Sequence, residues 1–240
     1  MEWRDEGCVI LVRAHGETAA IIEVFTAAHG RHAGVVRGGA SRRMGAVLQP
    51  GSQVAVQWQA RLSEHMGGFA VEPLQSRAGL MADRLALAGL NAICAMLHVA
   101  LPERAPYPAL WRATMDLLAA VERGGDWPAQ YLRWELALLD ELGFGLDLGR
   151  CAVTGSRDGL AFVSPKSGRA VSLAGAGAWA ARLLPLPAVV LGQGPASPVE
   201  LGQGFALTGH FLLKGLGPMV QGKALPAARM RLVQMLAETG

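Results

Sequence analysis

The segment from His29 to Arg43 contains residue types that suit phosphate binding. It has four arginines and no acidic residue, which gives it a charge of +4 with its histidines neutral. The four arginines are Arg31, Arg37, Arg42 and Arg43. Guanidinium groups donate charge-assisted hydrogen bonds to phosphate oxygens, and the nearby glycines would let a nucleic-acid backbone approach closely. The segment therefore predicts a nucleic-acid contact, with a solvated basic surface loop as the alternative.

Stacking on nucleobases would need aromatic side chains near this segment. Phe25, Trp58 and Phe69 are the candidates in the surrounding sequence. Aromatic rings of this kind stack bases in single-strand-binding proteins, but they equally fill the interior of small barrels. Filling a barrel is the interpretation that the pattern favours.

Metal and enzyme chemistry find little support in the sequence. Cys151 followed by Thr154 resembles half of a Cys-x-x-Cys knuckle whose second ligand is missing, and residues 155–172 contain no Cys or His. Structural zinc needs four nitrogen or sulfur ligands, so we predict no metal.

The P-loop, the zinc-protease helix, the nucleophile elbow and the dinucleotide fingerprint are also absent from the sequence. An enzyme acting on a small molecule is therefore the least favoured class, and we expect neither a catalytic residue nor a cofactor.

Short strands must position the basic segment. Apolar alternation and turn residues predict five strands in the first 75 residues: Cys8–Ala14, Thr18–Thr26, Arg31–Arg37, Gln53–Ala60 and Phe69–Leu74. The connection from Gly38 to Gly51 is too long for a hairpin. Five strands with one long connection predict an OB barrel, whose faces and loops commonly bind nucleic acid. An SH3-like barrel is the alternative.

The sequence pattern after Arg77 is typical of helices. Apolar residues at helical spacing predict helices around 85–97, 110–121 and 128–142, and two more at about Val199–Leu216 and Pro226–Thr239. Between them, Arg150–Ser172 is rich in glycine and serine and resembles a strand only around Leu160–Val163. We interpret it as a small insertion in a helical domain.

Composition limits the class of protein. Of the 240 residues, 51% are apolar and 17% are charged, which predicts a folded, soluble chain with a sizeable core. No segment predicts a membrane span or an export signal, and three cysteines far apart predict reduced thiols, so we expect a cytoplasmic protein. The net charge of +3 divides into +1 for residues 1–80, −3 for 81–150 and +5 for 151–240.

Several strings in order resemble the RecO family of bacterial recombination mediators. In the first part of the chain they are Gly16-Glu17-Thr18, Val24-Phe25-Thr26, His29-Gly30-Arg31, Arg37-Gly38-Gly39-Ala40-Ser41-Arg42-Arg43 and Leu48-Gln49-Pro50-Gly51. Further along they are Trp134-Glu135-Leu136-Ala137-Leu138-Leu139, Leu142-Gly143-Phe144-Gly145 and Leu225-Pro226-Ala227-Ala228-Arg229. Each string is weak alone, but their order and spacing extend the resemblance over nearly the whole chain.

The resemblance implies an α+β protein with an OB domain at 1–77 and a helical domain at 78–240, in which 150–173 is a zinc-finger-like insertion that lacks its ligands. It implies a non-catalytic protein that binds single- and double-stranded DNA and anneals complementary strands. It also implies two protein partners, namely the acidic C-terminal tail of the single-stranded-DNA-binding protein and RecR, with which it helps to load RecA. The alternative function is an OB-fold interaction module that binds RNA or protein without a role in repair.

Carried over residue by residue, the resemblance puts Arg31, Arg37, Arg42 and Arg43 forward as phosphate contacts. Ser41 is a lesser donor and Arg61, just after the fourth strand, is a further contact. An acidic tail that ends in an aromatic residue needs an apolar socket with a cationic rim, for which Arg133 is the candidate. An exposed helix cation paired with a neighbouring residue is the alternative interpretation of Arg133. Many relatives hold zinc in the inserted segment, whereas here only Cys151 stands at the matching place.

Overall fold

The computed structural model describes residues 1–62, 64–194, 196–217 and 224–238. The chain divides into two compact units, Met1–Gly125 and Asp126–Gly240, which are described separately. No helix in the described ranges is both long and apolar enough to cross a membrane.

Five strands of the first unit form a closed barrel. They are β1 (Glu2–His15), β2 (Ala19–Thr26), β3 (Gly30–Val36), β4 (Gln53–Gln59) and β5 (Gly68–Gln75). The order around the barrel is β1-β2-β3-β5-β4, and every neighbouring pair is antiparallel except β3 and β5, which run parallel. This sheet, followed by helices, confirms the predicted fold class of an OB-like barrel ahead of a helical region.

Strand β1 begins six residues before its predicted start at Cys8. Its first half pairs with β4 and its second half with β2, so one long strand closes the barrel from both sides. Glu2, Arg4 and Glu6 are exposed on the outer face, while Trp3 packs against the core from the inner one. In the sequence these charged residues resemble a polar segment ahead of the strand. The structure shows that they alternate along β1 and form its outer face.

The connection from Gly38 to Gly51 contains a helix that we did not predict. Helix α1 spans only Arg42–Val47 and none of its residues is buried, so it has no apolar stripe to reveal it. Its N-cap is Ser41, whose hydroxyl accepts a hydrogen bond from the backbone N–H of Met44 at 3.3 Å.

Two further helices complete the first unit, α2 (Arg84–Ala100) and α3 (Pro108–Arg123). Helix α2 follows the N-cap Asp83 and packs against β1. The domain boundary after residue 77 stays a prediction. It separates strands from helices in the sequence, but α2 and α3 belong to the same compact unit as the barrel.

The second unit contains three long helices and the inserted segment. The helices are α4 (Trp127–Glu141), α6 (Pro198–Leu216) and α7 (Ala227–Glu238), with α6 packed against both others. Gly204 makes the contact with α4 possible, because an added Cβ would lie 2.4 Å from the Leu132 side chain. The predicted end of the last helix, Thr239, lies outside the described residues.

The inserted segment extends beyond its predicted end at residue 173, as far as residue 185, and has its own small sheet. Strands β6 (Leu160–Val163), β7 (Ala170–Ser172) and β8 (Leu184–Pro185) lie in the order β7-β6-β8. The short helix α5 (Leu173–Ala176) leads into a 3₁₀ helix at Gly177–Arg182. Only the first of the three strands was predicted, because the other two are two and three residues long.

Candidate nucleic-acid interface

The basic loop between β3 and α1 presents three guanidinium groups to solvent. Arg37 follows the end of β3, and Arg42 and Arg43 open helix α1. All three side chains are exposed, and none forms an ion pair with a residue that the structure describes. Their charge is therefore available to an external anion.

Backbone hydrogen bonds and close packing fix the shape of this loop. The N–H of Gly39 donates to Val36 O and that of Ala40 to Thr18 O, each at 3.1 Å. A Cβ at Gly39 would lie 2.8 Å from the Cβ of Ala20, so this position requires glycine. The loop thus holds its arginines beside the β1–β2 turn. The Ser41 hydroxyl, while it caps α1, still has its own hydrogen to donate.

Arg61 is brought towards Arg37 by the register of three strands. Val35 of β3 pairs with Gly68 of β5, which in turn pairs with Gln59 of β4. Since neighbouring strands lie about 4.8 Å apart, the ends of β3 and β4 are roughly 10 Å apart. Arg37 and Arg61 each follow one of these ends by one or two residues, and Arg61 is exposed without an ion pair in the described part of the chain.

The segment after Arg61 is held by Arg104, from the connection between α2 and α3. Arg104 Nη2 donates to His65 O at 2.9 Å and to Glu64 O at 3.4 Å. Its backbone N–H also donates to Arg31 O at 2.8 Å, which attaches the connection to strand β3. Arg104 has a φ of 63°, a conformation that side chains rarely adopt, so tertiary contacts must stabilise it. Arg104 is thus a positioning residue that the sequence did not reveal.

Arg31 differs from the other arginines of the segment because it has partners within the protein. Its Nη1 lies 2.7 Å from Glu23 Oε2, and its Nε donates to Leu101 O at 2.8 Å. Only 13% of the side chain is exposed. The guanidinium is paired with a buried carboxylate, which favours a structural role, and its contact with DNA stays a prediction.

A groove on the barrel has a charge that does not suit phosphate. A groove of about 500 Å³ on β1, β4 and β5 is lined by Arg4 and by the carboxylates of Asp5, Glu6 and Glu72. The three carboxylates outnumber the single guanidinium and would repel a nucleic-acid backbone. This groove is therefore a poor candidate for a phosphate contact.

Two of the three aromatic candidates, Trp58 and Phe69, belong to the core of the barrel, whereas Phe25 is buried on the other face of β2. Phe25, Trp58 and Phe69 are all buried, at 0%, 2% and 5% exposure. His32 meets the faces of Trp58 and Trp3 edge-on, with ring centroids 4.7 and 5.1 Å apart. Burial, together with the nearby charges of Arg104 and His29, lowers the pKa of His32 to about 4. None of these rings offers an exposed face for a base.

Comparison with known proteins places these observations in a family. Residues 1–77 match the family model described as "Recombination protein O N terminal", and residues 81–222 match "Recombination protein O C terminal". The chain belongs to the RecO family. It is 66% identical over 237 residues to the DNA repair protein RecO of Cereibacter sphaeroides, 54% over 238 residues to that of Ruegeria sp., and 52% over 238 residues to that of Dinoroseobacter shibae. Each alignment covers 99% of this chain and 98–99% of the relative.

The RecO resemblance directs attention to Arg133 as a partner contact. Arg133 is exposed on α4 and forms no ion pair among the described residues, and its contact with a partner stays a prediction. It does not line the apolar pocket of the second unit. That pocket, of about 320 Å³, has Phe144, Leu146 and Phe211 in its wall and Lys166 and Lys214 beside them. Sequence analysis missed this pocket because its two sides come from segments far apart in the chain.

The zinc site that the RecO resemblance suggests would need a donor set that is not found among the described residues. The Cys151 thiol accepts hydrogen bonds from the side chain and N–H of Ser172 at 3.3 and 3.2 Å and from the N–H of Thr154 at 3.4 Å. These bonds lower the pKa of Cys151 to about 6. A Cβ at Gly175 would lie 2.9 Å from the Cys151 sulfur. Residues 151, 154, 172 and 175 therefore lie close together, but of these four only Cys151 has a side chain that is a usual zinc ligand. Within the described residues no group of three or more His, Cys, Asp or Glu side chains is arranged to hold a metal.

Proposed function

We propose that this RecO family member is a non-catalytic recombination mediator in the cytoplasm, associated with the nucleoid. It binds single- and double-stranded DNA and anneals complementary strands. It contacts the acidic tail of the single-stranded-DNA-binding protein and RecR, and thereby assists RecA loading. The family assignment supports a role in DNA repair, and the geometry of the basic loop supports the mode of DNA binding.

The observation that carries the proposal is the set of unpaired arginines on one side of the barrel. Arg37, Arg42, Arg43 and Arg61 are exposed, whereas Arg31 is 13% exposed and paired with Glu23. Each exposed guanidinium can displace a counterion from a phosphate, and Ser41 adds a neutral donor. Because these contacts are to the backbone, the same surface serves single and double strands without reading sequence.

Annealing follows from neutralisation of charge. Two complementary strands repel each other through their phosphates, and cations held on a rigid loop reduce that repulsion while leaving the bases free to pair. No bond is made or broken by the protein, so no catalytic residue or cofactor is needed. The tail contact concentrates the protein on single strands that are already coated.

Two features of the second unit support a tail contact. The pocket beside Phe144 offers an apolar cavity flanked by lysines, and Arg133 offers a free guanidinium on α4. A fluorescent acidic peptide ending in phenylalanine, titrated against Arg133→Ala and Lys214→Ala, separates them. The variant that loses affinity identifies the rim of the socket, and unchanged affinity in both removes both residues from it.

Annealing of oligonucleotides coated with the cognate single-stranded-DNA-binding protein tests the proposal. We expect acceleration by the wild type that Arg42→Ala/Arg43→Ala loses without unfolding. The double variant should also reduce the slope of log affinity against log salt by about 1.4 to 1.8, at roughly 0.7 to 0.9 per phosphate. Arg112→Ala/Arg123→Ala is the matched control, since it removes two exposed cations of α3. No acceleration by the wild type at any salt concentration would favour the interaction module that binds RNA or protein.

A further inference from the structure

The inserted segment of the second unit presents an aromatic ring to solvent. Trp179 is 63% exposed, whereas Trp58, Trp127 and Trp134 are each below 5%. The guanidinium of Arg182 lies over its ring, with Cζ 5.2 Å from the ring centroid. An exposed indole costs solvation free energy, and the stacked arginine orders it in a defined position.

The local helix geometry accounts for this exposure. Trp179 and Arg182 lie three residues apart in the 3₁₀ helix at Gly177–Arg182, and residues at that spacing share one face. Ala180 and Leu183, also three apart, pack onto the small core around Cys151. Because Ala180 and Leu183 face the core, Trp179 and Arg182 face the solvent, and the indole ring projects from the surface.

The surroundings of this ring are basic. Residues 150–182 contain five cations, Arg150, Arg157, Lys166, Arg169 and Arg182, and one acid, Asp158, which gives a net charge of +4. Arg169 pairs with Asp147 outside this range at 3.2 Å, and the other four cations form no ion pair in the described part of the chain. A compact segment of this length is about 20 Å across, so the cations lie within the span of a few nucleotides.

We propose that the face formed by Trp179 and Arg182 is a second binding surface for single-stranded nucleic acid. A base stacks on the indole while Arg182 and Arg157 contact the flanking phosphates. The inference rests on the proposed function, because annealing requires a protein that holds two strands. A projecting ring with cations around it suits a base, whereas an aromatic anchor from a peptide needs a cavity to fill.

Titration with an oligothymidylate of about eight nucleotides, within the range of one OB-type site, tests this surface. The wild type should bind two oligonucleotides per chain, and Trp179→Ala should weaken one of the sites by about fivefold or more. Trp179→Phe, which keeps an aromatic face, should retain most of that affinity. Arg182→Ala should reduce the salt slope by about 0.7. Arg231→Ala, an exposed cation on α7, is the matched control and should bind like the wild type.

The parallel titration of Arg42→Ala/Arg43→Ala separates this inference from the proposed function. If that variant loses one site while Trp179→Ala and Arg182→Ala keep two, the second surface is refuted and the loop assignment stands. If the wild type binds no oligonucleotide, both fail. If an acidic peptide quenches Trp179 fluorescence and the oligonucleotide does not, the surface binds protein and the inference is overturned.

Discussion

Among the residues that the structure describes, each of the two units has one buried glutamate paired with an arginine, and the two pairs are built differently. In the second unit Glu135 is fully buried, and Arg229 donates to both of its oxygens at 2.9 and 3.0 Å. Thr208 donates to the same carboxylate, and Arg229 also donates to Phe205 O. Burial alone would lower the pKa of Arg229, but the carboxylate outweighs it and raises that pKa, so this pair stays charged and closed to water.

The pair in the first unit is partly open. The Glu23 carboxylate is 3% exposed and has three partners. They are Arg31 of β3 at 2.7 Å, His98 of α2 at 2.8 Å and Arg13 of β1 at 3.5 Å. The exposed fraction rises from 13% for Arg31 to 37% for His98 and 61% for Arg13. The negative charge of Glu23 is thus shared among three partners, whereas the negative charge of Glu135 is balanced by a single arginine. The difference shows that a buried glutamate can have either a single buried partner, as Glu135 does, or several partners that reach the solvent, as Glu23 does. We call the second arrangement the open hub.

The largest effect should follow from breaking the closed pair. Glu135→Gln leaves the Arg229 guanidinium buried without its counter-charge, and we expect a loss of about 3 to 5 kcal/mol in the free energy of unfolding. Urea denaturation followed by hydrogen exchange in α4, α6 and α7 measures it. Glu141→Gln, on the more exposed end of the same helix, is the control.

A double variant sharpens the interpretation of that loss. Glu135→Leu/Arg229→Met removes both charges and leaves no buried ion, so its stability should lie closer to the wild type than that of either single variant. A double variant that is as unstable as the sum of Glu135→Leu and Arg229→Met would show that the two residues are not energetically coupled, and an unpaired buried charge would then not explain the loss.

The open hub should tolerate a similar change better. In Glu23→Gln, Arg31 keeps its bond to Leu101 O, and Arg13 and His98 turn to water, so we expect a loss of about 2 kcal/mol. Glu72→Gln on the exposed face of β5 is the control. A loss as large as that of Glu135→Gln would show that water does not reach the hub.

The contrast also explains what the sequence could reveal. Alternation in β2 and β3 and helical periodicity in the long helices are local signals, and they placed these elements within a few residues. The role of Arg31 depends on which strand faces it, and that is a matter of register rather than of local pattern. Glu23 was the available signal, because it is the single acid in the apolar strand Ala19–Thr26 and such an acid requires a buried cation.

The second unit gave fewer local signals. Cys151, Thr154, Ser172 and Gly175 converge only because β7 returns beside the turn at Cys151, which the sequence pattern did not show. Trp179 lies in a 3₁₀ helix too short for a periodic pattern. Surfaces built from short elements are therefore the part of this molecule that sequence analysis predicted least well.

Acidification should affect the first unit before the second. His32 is neutral in the folded barrel, with a pKa of about 4, whereas in the unfolded chain it binds a proton below about pH 6.5. The unfolded state thus binds more protons in this window, and stability falls as the pH drops from 6.5 to 4, by at most about 1.4 kcal/mol per pH unit. Hydrogen exchange in barrel peptides of wild type and His32→Phe measures the effect. An equal acid slope in both proteins would assign the lability to another group.

The smallest effect should come from the most exposed partner of the open hub. Arg13 is 61% exposed and lies 3.5 Å from Glu23, so solvent screens the pair, and Arg13→Ala should cost at most about 0.5 kcal/mol. A double-mutant cycle with Glu23→Gln measures the coupling directly. Because Arg31 already neutralises the carboxylate, we expect a coupling near zero in 0.15 M salt that grows at low ionic strength. A coupling above 1 kcal/mol at physiological salt would mean that the hub is as closed as the pair in the second unit, and the distinction between the two glutamates would no longer hold.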